Sequence, residues 1–186
     1  MNAELQGYGD QLLSIKQDAS GLMSGVSDAQ FNWQPGPGRW SMAGCFDHLN
    51  KSAGDLFMPM IDKAIAQARA RNLTSGGPFV YSAIERWAIR NNDAPAKMKF
   101  KAPKKFQPAP ELPVDQVRAD FLRWQDELQK RMRDADGLDL QRTKQVWPFW
   151  PLKWSLGGLI LMMLAHERRH IYQARQVRQN PAFPAA

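Results

Sequence analysis

The chain has 186 residues, of which 44% are hydrophobic and 23% are charged, and its formal net charge at pH 7 is +7. This composition excludes a disordered chain and allows one domain with a sizeable core. The single cysteine, Cys45, excludes an internal disulfide and a zinc site built from several cysteines.

Two amphipathic helices are predicted in the first part of the chain. Residues 3–24 place apolar side chains at spacings of three and four, which builds one apolar stripe. The second helix spans 41–72 and begins at Ser41, a favourable N-cap after "PGPGRW". Pro59 lies inside this helix and lacks an N–H, so we expect a kink or a lengthened turn there.

A long basic connection, 73–112, follows the second helix. Between Lys63 and Lys105 there are ten basic residues and two acidic ones, a net charge of +8. The connection contains a short predicted helix over 82–91 and the segment "KMKFKAPKKF" (97–106). Phosphate contacts and base stacking use such a mixture of basic and aromatic residues, but no other nucleic-acid motif accompanies it. We therefore expect its phenylalanines to pack on the protein and its lysines to face water.

The third and fourth helices are predicted over 114–135 and 155–179. The fourth contains the longest apolar run, "LGGLILMMLA" (156–165), which is about half of what a bilayer requires and is interpreted as a buried helix segment. Four such helices without a strand-rich block predict a single all-α domain over 1–186, a four-helix bundle. The first residues lack the layout of a signal peptide, so we expect a cytoplasmic protein without a membrane partner.

The sequence "HERRH" (166–170) holds two of the three histidines of the chain. H-E-x-x-H is the helix signature of zinc peptidases, which need a further Glu or His ligand downstream. Only "IYQARQVRQNPAFPAA" follows, so the peptidase interpretation is disfavoured. Glu167 lies about 100° around the helix from His166. We expect it to be solvated or salt-bridged, with an acid or base role left open.

The histidines of the fourth helix lie four residues apart on its apolar stripe, an arrangement that can present two nitrogens to one divalent metal. Two buried core histidines are an equally good interpretation of this pair alone. His48, on the second helix, can complete a three-nitrogen set if the two helices pack side by side. Three protein ligands leave positions for water or substrate. Gln173 is a candidate hydrogen-bond partner for His170, or simply a polar residue at the bundle end.

Tryptophans and arginines supply further candidates around this site. Five tryptophans lie in predicted loops and helix starts, namely Trp40, Trp87, Trp147, Trp150 and Trp154. We expect them to pack as core at the bundle ends, and the alternative is that they form a pocket wall over the metal. Four arginines could lie near the site, namely Arg86, Arg90, Arg168 and Arg169. We expect them to be solvated at the surface, and the alternative is that they bind an anionic group of a substrate.

These features resemble the DinB/YfiT-like superfamily of metal-binding four-helix bundles, most closely its DinB-like branch. The resemblance rests on "NWQPGPGRWSMAGCFDHL" (32–49), on "HERRHIYQARQV" (166–177) and on the order of the helices. It implies an up-down-down-up bundle, a homodimer, and a divalent-metal site with His48, His166 and His170 as ligands. The activities it implies are transfer or isomerisation with low-molecular-weight thiols, or metal-dependent hydrolysis.

The leading functional hypothesis is a metal-dependent enzyme, a hydrolase or a thiol transferase, that acts on a small molecule. A divalent ion held by three neutral histidines lowers the pKa of a bound water or thiol, which both reactions require. Histidine ligation suits zinc, nickel, iron or copper and does not choose among them. The alternative is a non-catalytic stress-response or binding module whose metal is structural or absent.

Overall fold

A computed structural model describes residues 1–95, 101–148 and 152–185. Its α-helices are α1 (Ala3–Met23), α2 (Asp28–Asn32), α3 (Met42–Ser52), α4 (Met58–Ala70), α5 (Ala83–Asn92), α6 (Val114–Asp134) and α7 (Leu156–Arg178). A π-helical turn, Ala53–Phe57, joins α3 to α4, and a 3-10 turn spans Lys104–Phe106. Two short antiparallel strands, β1 (Lys144–Val146) and β2 (Lys153–Ser155), were not predicted. The predicted all-α class is confirmed.

Helices α1 and α7 begin where the sequence supplies side-chain caps. The Asn2 side chain accepts a hydrogen bond from the Leu5 amide at the start of α1, and Ser155 accepts one from Gly158 at the start of α7. Such caps satisfy amides that have no partner within the helix. The observed ends of α1 and α7 lie within two residues of the predictions, and so do those of α6, which begins after Pro113 without a side-chain cap.

The second predicted helix contains a lengthened turn next to Pro59, as expected. The turn Ala53–Phe57 is π-helical, and the Met58 amide donates to the Ala53 carbonyl, which lies five residues earlier. Pro59 then lies in the first turn of α4, where its missing N–H costs nothing. The wider turn lets the chain continue past Pro59 without a break, so α3 and α4 form one continuous helical segment.

The directions of the long helices follow from contacts along their lengths. Gln11 pairs with Arg168 and Asp18 with Arg175, so α1 and α7 run in the same direction. His48 lies beside His170, and Phe57 lies beside His166, so α3 runs opposite to α7. The facing surfaces of α3 and α7 therefore carry all the histidines of the chain.

Helix α7 is the most enclosed element of the bundle, packing against α1, α3 and α5. Its first half is the apolar run 156–165, and all of this run except Leu161 is buried. The predicted buried helix segment is confirmed. Within the part of the chain that the structure describes, no helix has the length and apolarity needed to cross a membrane.

Candidate metal centre

His48, His166 and His170 come together between α3 and α7. One nitrogen from each ring lies within 4.8 Å of the other two. The ring centroids of His48 and His166 are 5.0 Å apart, and His170 is 4.6 Å from each of them. Three imidazole nitrogens at this spacing can surround a single divalent ion with small rotations of the rings.

His48 is held by the basic connection. Its Nδ1–H donates to the carbonyl oxygen of Phe106 at 2.7 Å, and the Phe106 side chain is buried. Because a carbonyl can only accept, this bond fixes the tautomer and leaves Nε2 without a proton, as a metal ligand requires. No pattern in the sequence indicated this backbone partner.

His166 provides the test of whether the residues fit a metal ion. Its Nε2 atom is buried and has no hydrogen-bond partner among the described residues. A buried polar atom without a partner is costly, and native proteins rarely keep one. The aromatic ring of Phe57, 5.8 Å away, offers it no hydrogen bond. A divalent ion shared with the other two histidines would satisfy this nitrogen, so the residues fit the ion.

His170 is oriented by groups on two sides. Its Nδ1–H donates to the Gln173 side-chain oxygen at 3.1 Å, which is the contact the spacing suggested. The Trp40 ring stacks on His170 with centroids 5.6 Å apart and lies 4.9 Å from His48. Trp40 thus forms an aromatic wall over the histidines, which was the less favoured of its two interpretations.

The electrostatics of the cluster keep its histidines neutral. Burial lowers the pKa of His166 and His170 well below the usual range, and repulsion within the cluster and from Arg169 lowers it further. Burial also lowers the pKa of His48, although the bond to the Phe106 carbonyl opposes the shift. Neutral imidazoles have a lone pair free for a cation, so the cluster is a ready ligand set near neutral pH.

The predicted environment of Glu167 was wrong. Its side chain is buried and its Oε1 accepts a hydrogen bond from the Gln125 amide at 2.9 Å. Burial raises the pKa of this carboxyl to about 7, although the Gln125 bond and the charge of Arg168 oppose the shift. Glu167 thus pairs with α6 inside the bundle instead of facing solvent, and it forms no salt bridge with any residue that the structure describes.

Two of the four arginines also depart from the predicted solvation. Arg168 forms a two-pronged ion pair with Asp93 and donates to Gln11, which ties α7 to α5 and α1. Arg169 is half-buried and donates to the Asn92 side chain at 3.2 Å. Arg86 and Arg90 are exposed, as expected.

The other tryptophans divide between core and surface. Trp147 packs against Phe57 and Trp154, and Trp154 is buried, which confirms the core interpretation for both. Trp87 is 56% exposed, so neither interpretation holds for it. Trp150 lies outside the described residues.

The basic segment 97–106 is described only from residue 101. Phe106 packs into the core, as predicted, and its carbonyl contacts the site. Lys104 and Lys105 are exposed, as expected. Phe100 lies outside the described residues.

A cleft of about 1020 Å³ opens beside His170. It is bordered by the loop before α3, by the chain on either side of the undescribed residues 96–100, and by one face of α7. Trp40, His170 and Gln173 lie in its lining and connect it to the histidine cluster. A small molecule in the cleft would therefore contact the same side chains that border the candidate metal site.

The fold and the site together define a class of protein, a helical bundle that presents three histidines on the facing surfaces of two helices. The sequence profile of the DinB superfamily matches residues 11–174, a range that includes all three histidines. The chain belongs to the DinB superfamily, which confirms the resemblance found in its motifs. No curated protein matches the chain in a sequence search.

Replacing Gln173 by leucine is expected to weaken zinc binding by about 10–100-fold, because the hydrogen bond that orients His170 is lost. The affinity would be measured by competition with a chromogenic chelator. Gln176→Leu is the matched control, since Gln176 borders the same cleft but has no described bond to a histidine. Equal affinities for both variants would show that Gln173 does not support the ligand.

Proposed function

We propose that this protein is a divalent-metal-dependent enzyme that transfers a low-molecular-weight thiol to a small electrophile. The observation that carries the proposal is the buried Nε2 of His166, which has no hydrogen-bond partner among the described residues. It lies beside two further imidazoles whose Nδ1 atoms are already hydrogen-bonded to other groups. Such a set suits a bound divalent ion better than a structural hydrogen-bond network. We take zinc, nickel and iron as the candidate ions.

A divalent ion with three neutral protein ligands lowers the pKa of a thiol or a water placed beside it and so supplies a nucleophile near neutral pH. The residues of this chain hold the reactants. Trp40 covers two of the histidines and reduces the access of solvent from that side. The adjoining cleft has room for a small molecule next to His170.

The kinds of side chain that line the cleft favour thiol transfer over hydrolysis. Among its described lining residues there is no aspartate, glutamate or cysteine. Metal-dependent hydrolysis commonly uses a carboxylate that takes the proton of the attacking water and passes it to the leaving group, whereas a thiol needs only to lose its proton. In the proposed reaction the thiol proton goes to solvent and the sulfur forms a bond to carbon. The leaving group departs with the electron pair of the bond that breaks.

The test uses the full chain loaded separately with zinc, nickel and iron. The thiols 2-mercaptoethanol and 3-mercaptopropionate are each mixed with 1-chloro-2,4-dinitrobenzene, and the coloured thioether is followed. We expect at least one loaded form to accelerate the reaction above the rate of the same protein treated with EDTA.

p-Nitrophenyl acetate serves as the hydrolysis substrate in parallel. Acceleration of ester hydrolysis without thioether formation would replace the proposal by a hydrolase. If neither reaction is accelerated with any of the three ions, the site is not catalytic, and the protein is better described as a binding or stress-response module.

A further inference from the structure

The cleft beside His170 has a one-sided charge distribution. Three cationic side chains border it, namely Arg39, Lys101 and Arg169. None of the cleft residues that the structure describes carries a carboxylate, and the remaining polar lining consists of histidine, tryptophan, glutamine, asparagine and tyrosine side chains. A concave surface with charges of one sign concentrates the electrostatic potential and attracts ligands of the opposite sign.

These cations come from three separate parts of the chain. Arg39 is the last residue of a turn in which its amide donates to the Gly36 carbonyl. Lys101 belongs to the basic connection, and Arg169 lies on α7. Their convergence is a property of the tertiary fold, since the sequence separates Arg39 from Arg169 by 130 positions. Positive charges from three segments around one cleft favour the binding of an anionic ligand there.

The position of Arg169 connects the cationic cleft to the reaction site. Arg169 precedes His170 in α7, and the bond to the Asn92 side chain at 3.2 Å anchors its guanidinium. Arg39 precedes Trp40, whose ring stacks on His170. A ligand whose charged group contacts Arg39 and Arg169 would therefore extend alongside the histidine cluster.

The geometry points to recognition of a negatively charged group on the substrate, a carboxylate or a phosphate, by Arg39, Lys101 and Arg169. This inference rests on the proposed function, because it specifies the thiol or electrophile that the site accepts. The cleft volume of about 1020 Å³ suits a small molecule. The three cations select an anionic small molecule over a neutral one of equal size.

The matched thiols of the activity assay provide the first test. 3-Mercaptopropionate carries a carboxylate, whereas 2-mercaptoethanol carries a hydroxyl group in its place. After correction for the uncatalysed rates, we expect the metal-loaded protein to favour the anionic thiol in kcat/KM by about tenfold or more. The preference is expected to fall as sodium chloride is raised, because salt screens exposed charges.

The double variant Arg39→Gln/Lys101→Gln is expected to lower that preference to within about twofold of unity. Both residues are exposed and lie outside the helices, so the fold does not depend on them. Arg71→Gln is the matched control, because Arg71 is exposed at the end of α4 and does not border the cleft. It should keep the preference of the wild-type protein.

Binding of thiol-free anions separates this inference from the proposed function. Glutarate and inorganic phosphate are titrated into zinc-loaded protein by calorimetry, and the comparison of the two identifies the preferred anionic group. If neither thiol reacts but one anion binds, and the double variant weakens that binding by about fivefold or more, the anion site stands and thiol transfer fails.

The opposite pattern overturns the inference. Equal kcat/KM for the two thiols, with no binding of glutarate or phosphate, would leave thiol transfer in place and remove the anion site. Salt-sensitive binding of a short single-stranded oligonucleotide without binding of either small anion would also overturn it, since the cations would then serve a polyanion.

Discussion

Replacing His166 by leucine is expected to abolish zinc binding and, at the same time, to stabilise the metal-free protein. The buried Nε2 of His166 has no described hydrogen-bond partner, and such an atom costs about 1–3 kcal/mol. Leucine removes that atom and fills a similar volume. Urea unfolding of metal-free protein should therefore show a rise of about 1 kcal/mol or more in the free energy of unfolding.

His48→Leu is the matched control from the same cluster. His48 donates to the Phe106 carbonyl, so the leucine variant loses this buried hydrogen bond. We expect this variant to lose zinc binding as well, but to be destabilised by about 1–2 kcal/mol without metal. If His166→Leu destabilised the metal-free protein as much as His48→Leu does, His166 would be a structural residue and the metal interpretation would be weakened.

Replacing Glu85 by glutamine is expected to lower the free energy of unfolding by about 3 kcal/mol at pH 7. The Glu85 carboxylate is 1% exposed and accepts bonds from the amide and hydroxyl of both Ser82 and Ser155. It thereby joins the first turns of α5 and α7, and Lys144 pairs with it. An amide presents a donor where one of these oxygens must accept, so it cannot replace the carboxylate.

The pH dependence of stability provides a second measurement of the same effect. Burial alone would raise the pKa of Glu85, but the bonds from Ser155 and Ser82 outweigh burial and hold the pKa at about 2, below the ordinary value of 4.5. A carboxyl with a lowered pKa stabilises the fold above pH 4.5, and this contribution is lost as the pH falls towards 2. The difference between wild type and Glu85→Gln should therefore shrink across that range.

Asp126→Asn is the control for the Glu85 variant. Asp126 also accepts from a lysine, Lys16, but its side chain is 66% exposed. Exposed ion pairs contribute at most about 1 kcal/mol, so we expect only a small loss at pH 7. A loss for Glu85→Gln no larger than that for Asp126→Asn would show that the buried carboxylate does not stabilise the two helix starts.

The histidine cluster was predictable because a helix has a fixed periodicity. His166 and His170 lie four residues apart, so any regular helix places them on one face. Placing His48 in the same cluster required only that α3 pack against α7. Gln173 follows from the same spacing rule and contacts His170 as anticipated.

The error at Glu167 has a physical cause. The prediction assumed that α7 has one apolar face and one solvated face, as a surface helix does. Helix α7 is instead enclosed by α1, α3 and α5, and the side of the helix that carries Glu167 contacts Gln125 of α6. A polar residue on an enclosed helix has no solvated side, and the sequence period alone does not reveal the enclosure.

The partners contributed by loops could not be predicted from the sequence. The Phe106 carbonyl is a backbone group, and every residue carries one, so no sequence pattern singles it out. Arg39 and Lys101 border the same cleft as Arg169 only because two irregular segments lie against α7. The course of an irregular segment depends on tertiary packing, whereas the periodicity of a helix is a local property.

Metal analysis of the untagged full chain, purified without added metal and then supplied with zinc, nickel, manganese or iron, tests the central claim most directly. The three-histidine site predicts about one tightly held ion per chain for at least one of these metals, with the ion lost in His48→Leu and His166→Leu. A content below about 0.2 ion per chain with every metal, or full retention of the ion by both variants, would contradict the account.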